Sequence, residues 1–63
     1  MTTYTVTTSG DDWVVLKGGK SVSHHRKKST AVRKAKRLAK GGRGKNRVKI
    51  YNRDDSLSSE HTY

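Results

Sequence analysis

The sequence predicts a small α+β fold of ββαββ order, an antiparallel sheet with one helix packed on one face. Three observations carry this expectation. Two short runs rich in β-branched and aromatic residues open the chain, an amphipathic segment occupies its middle, and two further extended runs close it. With 63 residues and no cysteine, the chain is expected to form a single domain, residues 1–63, around one small core. A chain of this size buries only about 60% of its unfolded surface, and disulfides and thiolate zinc sites are closed to it.

The first hairpin is read from Tyr4 to Thr8, the turn residues Ser9-Gly10-Asp11-Asp12, and Trp13 to Lys17. Alternation along the second run puts Trp13 and Val15 on one face and Val14 and Leu16 on the other. Trp13 is the only tryptophan in a chain with few large apolar residues, so it is expected in the core. That leaves Val14 and Leu16 partly uncovered, a patch that would allow a homodimer. Gly18-Gly19 then interrupts the pattern, and the stretch from Lys20 to Lys28 reads equally as an irregular strand or a basic loop.

Ser29 can cap a helix running from Thr30 to Lys40, with Gly41-Gly42 offering a left-handed stop. At 100° per residue, Ala31, Val32, Ala35, Leu38 and Ala39 fall on one stripe that should face the sheet. The alanines would let the helix approach closely. Arg33, Lys34, Lys36, Arg37 and Lys40 take the opposite arc, with no acid for pairing. Arg47-Val48-Lys49-Ile50-Tyr51 alternates again, which directs Val48 and Ile50 inward and Arg47, Lys49 and Tyr51 outward. The turn Asn52-Arg53-Asp54-Asp55 precedes a weak last strand, Ser56 to His61, anchored by Leu57 alone.

Charge points to function. Fifteen Lys and Arg stand against five Asp and Glu, a net charge of +10. All fifteen bases lie between Asp12 and Asp54, while Asp11, Asp12, Asp54, Asp55 and Glu60 lie at or outside those limits. Self-repulsion at this density destabilises the folded state, and an anionic partner would neutralise it. The expected partner is nucleic acid, DNA favoured over RNA, held by phosphate contacts without sequence readout. The candidate residues are Arg26, Lys27 and Lys28 before the helix, Arg33, Lys36, Arg37 and Lys40 on it, and Arg43, Lys45 and Arg47 in and after the glycine-rich loop. A second surface, Arg47, Lys49 and Tyr51 on the outer sheet face, could stack on unpaired bases. The alternative is a module that docks on an acidic protein partner.

Other classes are set aside on the residues. No Gly-x-Ser-x-Gly or comparable signature places a nucleophile beside a base, so no catalytic residue, cofactor or enzyme activity is expected. His24 and His25, adjacent on an extended segment, point to opposite faces and cannot readily share a metal ion. The longest apolar run, Trp13-Val14-Val15-Leu16, is far short of a membrane span. The helix also has alanines where a membrane-surface helix carries larger residues, so no membrane contact is expected. With no secretory signal, the expected location is the cytoplasm.

Several segments together resemble a known family. They are Gly10 to Lys17 (Gly-Asp-Asp-Trp-Val-Val-Leu-Lys), Ser29 to Lys40 (Ser-Thr-Ala-Val-Arg-Lys-Ala-Lys-Arg-Leu-Ala-Lys), Val48-Lys49-Ile50-Tyr51, and the Asn-Arg-Asp-Asp-Ser-Leu turn with the terminal Thr-Tyr. The chain is similar over most of its length to domain of unknown function family 2188, a group of small prokaryotic proteins. The resemblance implies a ββαββ-like α+β domain and brings no established activity and no site residues.

Overall fold

The β-rich runs of the sequence become strands wherever a neighbour can complete their hydrogen bonding. In the computed structural model, which describes residues 2–63, these are β1 (Thr2–Ser9), β2 (Asp12–Lys17), β3 (Lys20–His25), β4 (Asn46–Tyr51) and β5 (Leu57–Thr62), with the helix α1 (Lys28–Gly41) between β3 and β4. The α+β class and the single helix on one face follow the sequence reading. Its ββαββ order and antiparallel sheet do not: the order is βββαββ, and the sheet, β3-β2-β1-β4-β5, is mixed.

Both differences start at the stretch that local pattern left open. Gly18 and Gly19 both take positive φ, 57° and 89°, the requirement of a two-residue type I′ hairpin turn. Lys20–His25 therefore folds back on β2 as a third strand. After β3 the chain stands at one edge of the sheet, running in the direction of β1. The helix carries it back across one face, and β4 then pairs parallel with β1, Tyr4 beside Val48 and Val6 beside Ile50. Each edge strand carries a register shift against its neighbour, β3 at Val15/Leu16 and β5 at Ile50/Tyr51, which makes both edges poor templates for a further strand.

The core lies between α1 and the sheet. It comprises Tyr4, Val6, Trp13, Val15, Ala31, Ala35, Ala39, Val48 and Ile50, with Val32, Leu38 and Tyr63 packed around it. Ala31, Ala35 and Ala39 are essentially inaccessible, because a face of methyl groups brings the helix backbone near the strands. Two expectations about apolar residues change. Val14, on the outer face, is only 4% exposed between its cross-strand partners Thr7 and His24, so the uncovered patch there is reduced to the half-buried Leu16. Leu57 is 52% exposed and anchors nothing. The last strand is held by its antiparallel ladder to β4, which Tyr63 extends by exchanging backbone hydrogen bonds of 2.7 and 2.8 Å with Asn46.

Both helix ends differ from the reading as well. The cap position is Lys27, not Ser29, and it has no side-chain cap bond. At the other end Gly42 is extended, with φ −80° and ψ 159°, not left-handed. The helix stops because Asn46, 2% exposed, donates from Nδ2 to the Ala39 carbonyl at 2.9 Å, while the Gly42 N–H reaches the same oxygen at 3.4 Å. A Cβ on Gly42 would sit 2.6 Å from Asn46 Nδ2, whereas one on Gly41 would meet open space. Gly42→Ala should therefore cost about 1–3 kcal/mol through overpacking, and Gly41→Ala should not. Thermal melts of the two variants check this; equal melting temperatures would mean that Asn46 swings aside freely.

Candidate nucleic-acid interface

The packing of three alanines against the sheet turns the rest of the helix circumference to solvent. Arg33, Lys34, Arg37 and Lys40 are exposed and Lys36 is half-buried, a convex strip with no acidic residue anywhere on α1. Arg33 borders shallow grooves on both flanks of the helix, one with His25, Thr30, Lys34 and Arg37, the other with Lys28, Ser29, Val32 and Lys36. Arg33, Lys36, Arg37 and Lys40 themselves line a third. These four candidates share one surface. Lys34, absent from the sequence-derived set, belongs with them, and its place on the solvent arc was already visible in the helical periodicity.

The remaining candidates extend or leave this strip. Arg43 and Lys45 are exposed in the loop that follows the helix. Arg26 and Lys27 are exposed at its start, where Arg26 faces Asp11 and Asp12 across a cleft. Lys28 is half-buried, its Nζ donating to Asn52 Oδ1 at 2.9 Å. Arg47, Lys49 and Tyr51 alternate with the core residues Val48 and Ile50 and so lie on the opposite face of the sheet. There Arg47 Nε stands 3.3 Å from Glu60 Oε1, although no aligned hydrogen bond satisfies that nitrogen. The helix surface and the outer sheet surface read from sequence thus lie on opposite sides of the molecule, with the helix and the sheet between them.

The acids follow the same division. Because β1 and β4 are parallel, the β1–β2 turn with Asp11 and Asp12 and the β4–β5 turn with Asp54 and Asp55 lie at one end of the sheet. Glu60 pairs across the outer face. Lys17, Lys20, Arg43 and Lys45 occupy the other end, and Lys40 the last turn of the helix, where the helix dipole favours cations.

At the acidic end, Trp13 joins the core to the turns. Lys28 Nζ lies 5.6 Å and Arg53 Cζ 5.5 Å from its ring, within the range of cation–π attraction. Arg53 was missed in the sequence, since only tertiary contact brings it to Trp13. The turn that carries it is tied by Asn52, whose N–H donates to the Ser56 carbonyl at 2.8 Å, and by Asp54, which accepts from the Ser56 hydroxyl and N–H. Among the described residues no cluster of three His, Cys, Asp or Glu could hold a metal ion, and no helix is long and apolar enough to cross a membrane.

The model of a family described as "Uncharacterized protein conserved in bacteria (DUF2188)" matches residues 4–63. No curated protein and no solved structure matches the chain.

The turn supplies a pH-dependent test. The Ser56 hydroxyl, then the Ser56 N–H, hold the exposed Asp54 carboxyl below its ordinary value near 3.8. A lowered folded-state pKa contributes stability that is present above the ordinary value and lost as pH falls through the folded one. Acidification below 3.8 should therefore loosen the turn, move Arg53 and change Trp13 fluorescence, and Asp54→Asn should remove that component. A fluorescence titration identical in wild type and variant would contradict the link.

Proposed function

We propose that this chain, which belongs to the DUF2188 family, is a non-enzymatic nucleic-acid-binding protein that grips the phosphate backbone with the solvent face of α1. DNA is favoured over RNA. The observation that carries the reading is the strip Arg33, Lys34, Lys36, Arg37 and Lys40, without an acid on the helix, while the acids sit in turns at one end or on the far side of the sheet. Residues four apart along a helix step by about 6 Å, so Arg33–Arg37 and Lys36–Lys40 form two short cationic rows.

The physical case is one of charge. Each phosphate contact releases condensed counterions, and several together give a sequence-independent affinity of about 10⁻⁴–10⁻⁶ M at physiological salt. Arginine can grip a phosphate through two N–H groups, whereas lysine acts as a point charge. The mixture suits adhesion to a backbone better than reading of bases. Arg43 and Lys45 lengthen the strip beyond the helix. Arg26, facing two carboxylates, adds less, and Arg47, Lys49 and Tyr51 stand outside it.

Binding to a labelled DNA across a salt series should give a slope of log affinity against log salt near −4 to −6, from roughly five to seven phosphates. Arg33→Glu with Arg37→Glu should abolish binding without lowering the melting temperature, because neither side chain enters the core and the change relieves self-repulsion. Absence of wild-type binding at physiological salt would overturn the reading and direct the charge to an acidic protein partner.

A further inference from the structure

The helix lies over β1, β2, β4 and β3 but makes no contact with β5. Ser59 and His61 of β5 pair with Ile50 and Val48, so they share the helix-facing side of the sheet while lying beyond its cover. His61 is exposed and Ser59 half-buried. One flank of α1 overlooks this uncovered shelf, with Lys28, Val32, Lys36 and Lys40 at four-residue intervals. Contacts at both ends fix that orientation: Lys28 reaches Asn52 at the end of β4, and Lys40 Nζ lies 5.6 Å from the Tyr63 ring just beyond β5. The Tyr63 ring is in turn 6.4 Å from His61, with the planes inclined by 36°. The result is an open groove with a lysine wall and a floor that ends in two aromatic rings.

We propose that this groove takes a single strand of nucleic acid, its phosphates along Lys36 and Lys40 and a base stacked on the His61–Tyr63 pair. The assignment rests on the nucleic-acid reading above and names the form of the ligand. Aromatic platforms beside cations hold unpaired bases, whose π-faces are free, whereas a duplex keeps its bases stacked on one another. An acidic peptide would satisfy the lysines and leave the rings unused. The outer sheet face serves less well, because its Tyr51 shares that surface with the Glu60 carboxylate, and no residue of α1 or β5 that faces the groove is acidic.

The test compares affinity for labelled oligo-dT and for a hairpin duplex DNA at one salt concentration. Tyr63→Leu keeps apolar packing and removes the π-face; it should weaken oligo-dT binding about 5- to 150-fold, the range for loss of one stacked base, with duplex affinity unchanged. Tyr63→Phe should bind as wild type. His61→Ala, at an exposed position, should weaken oligo-dT binding in the same direction without touching the fold. Unchanged oligo-dT affinity in both Tyr63→Leu and His61→Ala, or equal losses on both ligands, would overturn the groove. If Arg33→Glu with Arg37→Glu still abolished binding, the phosphate reading would survive that failure; wild-type binding to neither ligand would overturn both.

Discussion

The parallel pairing of β1 with β4 is the constraint on which the rest of the molecule depends. β3 leaves the chain at one edge of the sheet, and β4 can join β1 in the same direction only after a crossover over one face. The crossover is α1. Its passage leaves the other face of the sheet bare, leaves β5 outside the helix's cover, and brings the β1–β2 and β4–β5 turns to one end. Charge segregation follows from that topology. The aspartates are in those two turns, so they stand apart from the middle of the helix.

The cationic helix face is tolerated because the opposite face asks so little space. Ala31, Ala35 and Ala39 bring α1 against the strands, with Val32 and Leu38 closing the flanks, and no basic stem has to cross the interface. The electrostatic cost remains. Among the described residues there is one ion pair within 4 Å, Arg47–Glu60, partly exposed, in a chain of net charge +10, and such pairs contribute little. An anion bound along α1 would relieve the repulsion and stabilise the folded state by mass action. Binding of such an anion would couple to stability through the same five side chains.

Much of this was legible in local pattern. The alanine stripe, the inward Val48 and Ile50, the buried Trp13 and the opposed His24 and His25 all follow from periods of 3.6 or 2, which act within one element. Elements whose existence depends on a distant neighbour were not. Lys20–His25 has serines on both faces and only Val22 as a large apolar residue, so its strand character comes from pairing with β2. The parallel partner of β1 lies some forty residues away in sequence. The same limit applies to the candidate site: helical phase groups Arg33, Lys36, Arg37 and Lys40, whereas only the fold brings His61 and Tyr63 beside the helix flank. Lys28, a candidate for the phosphate face, is also held to Asn52 and Trp13 by contacts that local pattern does not show.

Backbone amide chemical-shift mapping during titration with a short oligo-dT decides whether nucleic acid lies on the helix side of the sheet. Shifts are expected along Arg33 to Lys40 and at His61 to Tyr63, with Thr3, Thr5, Leu16 and Lys49 on the outer face unmoved. Shifts concentrated on the outer face, around Lys49 and Tyr51, would contradict that placement.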